Sequence, residues 1–328
     1  MERIVIALPS DEQYVCGLTV TAASLAMYAS REVVLAFHIL DGGIRDDTFA
    51  AFEAKVRPFH SHCEFYRHRV DEAAFKDFPA WSGNRMTYAR LLIPQFLPEE
   101  EFCIYSDSDF LWLTDIAELW QLRKREVIFQ SARETYDRTL DREETWFREH
   151  NLPFDRNRYI CAGLSFYNLR LMREEKSVQK ISDFITQHPD IRMADQTAIN
   201  ALLRDRLTVL DSRWQRLTIS REDGERVLGK ALHYAGEIPW KRGLWTQMLT
   251  DTILLWHRCN GRIHHRSTWW SLRQSFSCRE ILQRRALWYV MRVPFLRGPF
   301  SLLLSRIHRG HYLPEMAQWT HAITEEVL

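Results

Sequence analysis

The sequence predicts an α/β protein with a mostly parallel central sheet flanked by helices. Strand-like and helix-like segments alternate from the first residues onward, and the chain is long enough, at 328 residues, for one large domain with an appendage. Apolar residues make up 46% of the chain and charged residues 27%, which allows a packed core and excludes a disordered protein.

The amino-terminal segments follow a β-α-β-α-β order. Residues 3–8 form a short apolar, β-branched run that is typical of a buried strand. Small and apolar residues then recur at helical spacing from Gly17 to Tyr28. A second strand is predicted at Val33–Leu40, a helix at about Arg45 to Lys55, and a third strand near Cys63–Tyr66. Strands joined by helical crossovers lie parallel in one sheet.

Further along the chain, the same alternation continues less regularly. We predict a helix over Thr87–Phe96, strands at Phe102–Ser106 and Val127–Phe129, and a helix at Asp195–Leu203 with Asp195 as its N-cap. A short strand is predicted to end at His233-Tyr234. Ligands bind at the carboxyl ends of the strands in such sheets, so the loops after strands are where chemistry is expected.

The composition also excludes several classes of protein. Six cysteines are scattered without a CxxC pair, which argues against a zinc or disulfide scaffold and for reduced thiols. No apolar run approaches the roughly 20 residues that span a bilayer, so an integral membrane protein is not expected. The chain enters a strand pattern at once, so no signal peptide is predicted.

Asp107 and Asp109 follow the predicted strand Phe102–Ser106, separated by one small residue. Carboxylates are the ligands that Mg²⁺ and Mn²⁺ prefer, and these ions commonly bridge to a substrate phosphate. An isolated Asp-x-Asp is more often a solvated acidic turn. Its place after a strand, and His233 at the end of another strand, favour a metal site, and an imidazole beside two carboxylates favours Mn²⁺.

The chain resembles glycosyltransferase family 8, within it the bacterial lipopolysaccharide galactosyl- and glucosyltransferase branch. The resemblance runs through about residues 3–242 and rests on an ordered series of segments. These are IVIALPSDEQY at 4–14, HILDGGI at 38–44, TYARLLIP at 87–94, YSDSDFLWLTDIAELW at 105–120, CAGLSFYNL at 161–169, ADQTAIN at 194–200 and HYAGEIPW at 233–240.

The resemblance implies a GT-A type nucleotide-diphospho-sugar transferase fold over residues 1–257. It implies a retaining transferase that moves galactose or glucose from a UDP-sugar to a saccharide, such as a lipopolysaccharide core or a related surface glycan. The donor diphosphate would be held through Mn²⁺ or Mg²⁺ by Asp107, Asp109 and His233. An oligosaccharide or lipid-linked glycan would be the acceptor.

Several further residues take a donor-binding role from the resemblance. Asp11 matches a position that hydrogen-bonds the base and Tyr14 an aromatic that stacks on it, although Asp11 could equally cap the following helix. Ala7 and Ser108 are also placed beside the donor. Arg90 matches an arginine that contacts the donor, and a surface salt bridge is its alternative.

Two segments that close the predicted site depart from the family's pattern. Cys161 replaces the usual asparagine before Ala162-Gly163. The carboxyl-terminal motif is one residue shorter between Gly236 and Pro239, and Ile238 stands where a lysine is usual. Lys241 is our candidate for the missing positive charge near the departing diphosphate.

The catalytic residues implied by the resemblance are Asp195 and Gln196, which match a pair touching the transferred sugar. A double displacement would need a carboxylate nucleophile beneath the anomeric carbon, and Gln196 is a weak nucleophile. We therefore predict front-face attack, with Asp195 and Gln196 orienting the sugar. Glu134, in a loop after a strand, is a further candidate for the site lining.

The second predicted region, residues 258–328, is basic, aromatic and helical. From Arg258 to Arg309 there are eleven arginines, no lysine and one acid, about +10 in a chain whose net charge is +1. Basic residues interleaved with aromatics predict docking of residues 258–310 on an anionic membrane surface, at the cytoplasmic face. A helical subdomain packed on the catalytic domain is the alternative, and nucleic acid is not expected as a partner.

Two other functions compete with this interpretation. A non-catalytic glycan- or nucleotide-binding protein of the same fold would explain the Cys161 and Ile238 departures. A self-glucosylating protein of the glycogenin kind is less favoured.

Overall fold

A computed structural model describes residues 1–81, 83–218, 229–236, 238–241 and 249–292. For residues 291 and 292 it describes the backbone alone. Its centre is a seven-stranded sheet with the order β3-β2-β1-β4-β7-β6-β8. Neighbours pair in parallel except β7, which is antiparallel to both β4 and β6. The expected mostly parallel sheet flanked by helices is therefore confirmed. The strands are β1 Glu2–Ser10, β2 Val33–Asp41, β3 Cys63–Arg69, β4 Phe102–Ser106, β5 Phe110–Trp112, β6 Phe129–Arg133, β7 Ile160–Asn168, β8 Leu207–Leu210, β9 Arg216–Leu217 and β10 Ala231–His233.

Helices cover both faces of the sheet and continue beyond it. The α-helices are α1 Val15–Tyr28, α2 Asp46–Val56, α3 Ile93–Phe96, α4 Ile116–Trp120, α5 Asp137–Glu149, α6 Leu169–Glu174, α7 Ser177–Gln187, α8 Asp195–Leu202, α9 Asp251–Ile263, α10 Thr268–Ser275 and α11 Cys278–Arg292. A 3₁₀ helix, Met86–Leu92, precedes α3, so the helical segment predicted over residues 87–96 is present with mixed geometry.

A second sheet, with the order β5-β10-β9, brings the late strand β10 beside the segment that follows β4. β10 is antiparallel to β5, and His233 pairs with Phe110 in this register. Helix α1 supports β5 from the other side, because Thr21 Oγ1 donates to the Phe110 carbonyl over 2.8 Å and Ser24 Oγ accepts from the Trp112 N–H over 3.1 Å. These buried polar contacts fix the backbone on which the site is built.

A large cluster of apolar side chains between the central sheet and its helices forms the main core. β1 and β2 are buried on both faces, as expected for central parallel strands, and this explains their continuous apolar runs. Helix α1 is buried over most of its length, which explains its small residues and lack of a polar face.

The strand predicted at Val127–Phe129 is displaced in the structure to Phe129–Arg133. The sequence pattern did not predict this strand correctly because its polar residues resemble those of a surface loop, whereas in the structure they are buried and hydrogen-bonded. Gln130 Nε2 donates to the Leu122 carbonyl over 2.9 Å, and Ser131 Oγ donates to the Cys161 carbonyl over 2.5 Å. Strand β7, for which the sequence pattern predicted no element, lies beside it.

The predicted N-cap of α8 is also corrected by the structure. Ala194 occupies that position, with φ +51° and ψ −130°, and no side chain caps the helix. Asp195 is the first helical residue, and its carboxylate is drawn to Arg90 Nε at 3.4 Å. An ion pair with the site arginine thus replaces the local capping bond that the sequence predicted.

Helices α9 to α11 form the described part of the carboxyl-terminal region. Trp256 and Ile263 of α9 belong to the main core, and Ile253, Leu272 and Ile281 belong to a smaller apolar cluster. The change of composition at residue 257 falls within α9 and not between two elements. Residues 293–310 of the predicted membrane-docking segment lie outside the described residues. Within the described part of the chain, no helix has the length and apolar character needed to cross a bilayer.

Candidate active site

A cavity of about 680 Å³ opens at the carboxyl ends of β1 and β4. Its walls come from the loop after β1, the turn after β4, strand β7, the start of α8 and the segment after β10. This is where ligands bind in open α/β sheets. The volume is within the range of small-molecule and cofactor sites.

Asp107, Ser108 and Asp109 form the turn between β4 and β5, and all three line the cavity. The Asp107 N–H donates to the Gly163 carbonyl over 2.7 Å, and the Ser108 hydroxyl donates to the Pro9 carbonyl. The Tyr105 hydroxyl donates to Asp107 Oδ1. The turn is therefore fastened to two neighbouring segments before any ligand is present.

His233 reaches the same turn from the other sheet. Because it pairs with Phe110 across β10 and β5, its ring stacks on that phenyl ring at a centroid distance of 4.3 Å. Its Nε2 lies 3.2 Å from Asp109 Oδ1 and 3.9 Å from Asp107 Oδ2. One ligand atom from each of the three residues lies within 4.8 Å of the other two.

Gly163 makes this convergence possible. A Cβ at that position would lie 2.5 Å from His233 Cε1 and 3.1 Å from Asp107 Oδ2. Only a residue without a side chain lets strand β7 pass so close to the imidazole. Two carboxylates and an imidazole form a donor set that suits Mn²⁺ and also accepts Mg²⁺. The residues therefore fit a divalent cation.

The electrostatics of the triad favour a cation between its members. Burial opposes protonation of His233, but the carboxylates of Asp109 and Asp107 outweigh it, so the pKa of the imidazole is raised. Burial raises the pKa of Asp107, although the Arg90 guanidinium acts in the opposite direction. The raised pKa of His233 shows that the two carboxylates attract positive charge to this group of side chains.

Arg90 is buried beneath the triad and connects three parts of the site. Its Nη1 donates to the Ala162 carbonyl over 2.7 Å and its Nη2 to Asp107 Oδ1 over 3.1 Å. Its Nε donates to the Thr87 carbonyl over 3.0 Å and lies 3.4 Å from Asp195 Oδ2. The guanidinium thus positions other site residues while it also lines the cavity.

Asp195 and Gln196 lie at the start of α8, and both line the cavity. Burial raises the pKa of Asp195 to about 6, against the effect of Arg90. Gln196 Oε1 accepts from the Ala162 N–H over 2.9 Å, and its Nε2 donates to Glu134 Oε2 over 3.4 Å. These contacts fix the orientation of the Gln196 amide.

Glu134 also lines the cavity and is buried behind Gln196. Its Oε1 accepts from the Thr135 and Tyr136 N–H groups, each over 2.9 Å. Burial nonetheless raises its pKa, against these bonds and the nearby thiol of Cys161. The cysteine that departs from the family's pattern therefore faces an acid.

The other end of the cavity holds the residues expected to bind the base. Asp11 Oδ1 accepts from the Gln13 and Tyr14 N–H groups over 2.9 and 3.0 Å, so this acid shapes the turn before α1. The Lys241 ammonium lies 4.0 Å from the centre of the Tyr14 ring. Trp240, edge-on to Tyr14, holds this segment by stacking on Trp256 of α9.

The structure brings most of the predicted residues to one cavity. Gly236 lines it in a left-handed conformation, with φ +79°. Ala7 is not brought to the site: it is fully buried inside β1, and the cavity lining from this segment begins at Pro9.

Sequence reasoning missed Tyr105 and gave Gly163 no role of its own. Both left a signal in the sequence. Tyr105 is two residues before Asp107, the spacing that puts side chains on the same side of an extended chain. Gly163 is a glycine inside an apolar run, which commonly marks the close approach of another group.

The fold and the site define the class of protein. An α/β sheet that ends at an Asp-x-Asp turn, with an imidazole completing the cation-binding set, is the arrangement of a nucleotide-sugar-dependent transferase. A sequence profile described as Glycosyl transferase family 8 matches residues 5–243. The chain belongs to this family and is a glycosyltransferase with a GT-A fold.

The chain is also similar to individual proteins of known sequence or structure. The chain is 26% identical over 221 residues to General stress protein A of Bacillus subtilis, covering 64% of this chain and 72% of that protein. Its fold is similar to the crystal structure of galactosyltransferase LgtC in complex with donor and acceptor sugar analogs, with a TM-score of 0.65, 22% identity, and coverage of 79% and 96%. For the glycosyltransferase GlyE of Streptococcus pneumoniae the TM-score is 0.60, the identity 18%, and the coverage 84% and 65%.

Proposed function

We propose that this chain transfers galactose or glucose from a UDP-sugar to a saccharide with retention of configuration, using Mn²⁺ or Mg²⁺ held by Asp107, Asp109 and His233. The acceptor we propose is an oligosaccharide or lipid-linked glycan, such as a lipopolysaccharide core or a related surface glycan. The similarity to a galactosyltransferase that binds donor and acceptor sugar analogs supports this choice.

The charge of the cavity is the observation that carries the proposal. Among the described residues, six acids line it against Arg90, Lys241 and His233, and Arg90 is already engaged by site carboxylates. An anionic diphosphate would be repelled from such a cavity without added positive charge. The acidic lining therefore suits a metal–diphosphate complex better than a free anion.

A bound divalent cation would act as a Lewis acid on the donor diphosphate and make UDP a better leaving group. The protein's own residues supply orientation. Arg90 holds Asp107 in place, and Gly163 leaves room for the imidazole of His233. Lys241 lines the cavity with its ammonium over the Tyr14 ring, and from there the ammonium would neutralise charge on the departing group.

Tyr14 is the proposed platform for the uracil ring, and Asp11 the proposed acceptor for its N–H. Because Lys241 lies over the Tyr14 ring, a base that stacks on the same face would displace the ammonium. Such a displacement would couple binding of the base to movement of a positive charge toward the phosphates.

Retention by front-face attack is consistent with the side chains beneath the sugar position. The Gln196 amide is hydrogen-bonded to Ala162 and Glu134, which suits an orienting group and not a nucleophile. Asp195 is buried and paired with Arg90, so its carboxylate is likewise engaged. We propose that both residues position the sugar and stabilise positive charge at its ring.

The proposal is tested with purified protein and a panel of UDP-sugars. We expect UDP-galactose or UDP-glucose, with Mn²⁺, to raise the melting temperature and to be hydrolysed slowly without acceptor. We expect the Asp109→Asn substitution to lower the hydrolysis rate at least about 100-fold. This corresponds to about 2.7 kcal/mol, the contribution of one electrostatic contact to stabilising a transition state. The matched control is Asp205→Asn, an exposed acid outside the cavity.

Two results would contradict the proposal. One is a UDP-sugar hydrolysis rate in Asp109→Asn equal to that of the wild type. The other is binding of UDP-sugars without turnover of donor or transfer to any saccharide acceptor, which would instead favour a non-catalytic binding protein. Product configuration by NMR tests retention separately.

A further inference from the structure

A second group of metal-ligating side chains lies outside the cavity. It consists of His150, His188 and Asp190, each of which offers one ligand atom within 4.8 Å of the other two. His150 is the C-cap residue that follows α5, His188 is the C-cap residue that follows α7, and Asp190 lies in the segment between α7 and α8. None of the three lines the active-site cavity. The group therefore has no part in the glycosyl-transfer chemistry described above.

The ring of His150 is oriented as a metal ligand would be. Its Nδ1 lies 2.8 Å from the Trp146 carbonyl oxygen, a contact that requires a proton on Nδ1. In the neutral imidazole this leaves a lone pair on Nε2, which faces Asp190 Oδ2 at 3.3 Å. A backbone carbonyl that accepts from the non-ligating nitrogen is the usual arrangement around a metal-bound histidine.

Asp190 and His188 are oriented by the same tryptophan. The Trp146 Nε1–H donates to Asp190 Oδ2 over 3.0 Å. The His150 ring stacks on the Trp146 ring at a centroid distance of 4.0 Å, and the His188 ring meets Trp146 edge-on at 5.7 Å. One fully buried side chain thus holds all three candidate ligands in place.

A neutral imidazole lone pair and a carboxylate oxygen repel each other at this separation unless a cation lies between them. The cation is either a proton on His150 Nε2 or a metal ion. Bonds of about 2.0–2.1 Å at tetrahedral angles put neighbouring zinc ligands about 3.3 Å apart. The observed 3.3 Å between Nε2 and Oδ2 matches this spacing. Two imidazoles and one carboxylate form a donor set that suits zinc.

We infer that His150, His188 and Asp190 form a zinc-binding site that joins the end of α5 to the segment leading into α8. Asp190 lies five residues before Asp195, and the intervening Met193 and Ala194 line the active-site cavity. Ala194 has a left-handed φ of +51°, which a non-glycine residue adopts only when the surroundings enforce it. Zinc bound at this site restrains residues 188–194 and is independent of the metal held at Asp107.

The test uses the full-length chain with the active-site triad disabled by Asp109→Ala, stripped with a chelator and then titrated with Zn²⁺. We expect one Zn²⁺ per chain by elemental analysis, a rise in melting temperature, and slower amide exchange over residues 188–194. Adding His188→Gln or His150→Gln should weaken Zn²⁺ binding more than about tenfold and abolish both responses. Co²⁺ should give visible absorption bands with the Asp109→Ala protein and none with the double variants.

The control is His62→Gln in the same background, a histidine remote from the group in sequence and absent from it. Should the histidine variants unfold, Asp190→Asn replaces them, because its side chain is 59% exposed and its loss leaves no buried gap. Zn²⁺ binding of equal strength in the double variants and in the Asp109→Ala parent would overturn the inference. Equal loss of binding in His62→Gln would do the same.

Discussion

At the scale of single residues, Gly163 is as important to the site as the charged side chains around it. The glycine lets the His233 ring and the Asp107 carboxylate lie against strand β7. We predict that Gly163→Ala weakens Mn²⁺ binding more than about tenfold, because the new Cβ would lie 2.5 Å from His233 Cε1 and must push the imidazole away. The measurement is the Mn²⁺ concentration that gives half-maximal UDP-sugar hydrolysis.

The control for this substitution is Gly43→Ala. A Cβ at Gly43 meets no atom within 4 Å, but its φ of +109° makes any side chain strained. We expect that variant to lose about 1 kcal/mol of stability and none of its Mn²⁺ affinity. Unchanged Mn²⁺ dependence in Gly163→Ala would show that the triad does not need the space.

Where a motif is local, the sequence is most specific about the position of a residue. Asp107, Ser108 and Asp109 follow directly after a strand, and the structure places them at the cavity. Their roles in metal and donor binding stay predictions. Arg90 was expected to touch the donor, whereas its hydrogen bonds to Ala162 and Asp107 also make it an organiser of the site. Those partners are distant in sequence, so local pattern could not indicate them.

At the scale of elements, the pairing of β10 with β5 is what brings the three residues of the proposed metal site together. His233 is 124 residues after Asp109, and no periodicity in the sequence indicates that these two short strands meet. The resemblance to a family supplied this proximity. The structure gives its physical basis, since register puts His233 opposite Phe110 and the Tyr234 N–H donates to the Asp109 carbonyl over 2.9 Å.

Other elements show where composition misleads. β6 carries Gln130 and Ser131, which read as surface residues, yet both are buried because each finds a backbone partner. In the sequence, the carboxyl end of α7 and the start of α8 have the composition of ordinary helix ends. Only the fold reveals that His150 approaches His188 there.

The packing of α9 against α10 yields a pH prediction. His257 of α9 is fully buried, and its Nδ1 lies 2.8 Å from Ser271 Oγ of α10. Burial lowers its pKa to about 4, below the value of about 6.5 in the unfolded chain. Between these values the unfolded chain binds more protons than the folded one. The stabilisation is therefore complete above about pH 6.5 and is lost as the pH falls toward 4, up to about 3 kcal/mol.

The measurement is the melting temperature as a function of pH in wild type and His257→Gln. We expect the wild-type melting temperature to fall between pH 6.5 and 4.5, and the variant to fall less steeply because glutamine does not titrate. His62→Gln, away from this interface, should keep the wild-type slope. Parallel curves for wild type and His257→Gln would contradict the assignment.

At the scale of the whole molecule, charge is unevenly distributed along the chain. The segment from Arg258 to Arg309 carries about +10, so the remainder carries about −9. In the described part of this segment, helices α10 and α11 expose Trp269 at 48%, Leu282 at 68% and Tyr289 at 55%. Exposed apolar side chains interleaved with arginines are typical of surfaces that lie on anionic bilayers.

We predict that the full-length protein binds vesicles containing anionic lipid and releases them as salt is raised, because each basic side chain near such a surface contributes about 1 kcal/mol. Arg266 and Arg279 are exposed on this region. Replacing both with glutamate should weaken vesicle binding at least about tenfold, while UDP-sugar hydrolysis in solution stays unchanged since neither lines the cavity.

The matched control replaces the same two arginines with lysine, which keeps the charge and should keep most of the binding. Sedimentation with vesicles of anionic or neutral lipid distinguishes the two variants. Because the acidic remainder of the chain is repelled by the same surface, the molecule should dock in one orientation, with its basic helices toward the lipid. If both variants sediment as the wild type does, or if neutral vesicles bind the protein equally well, the arginines have another role, such as packing contacts within the chain.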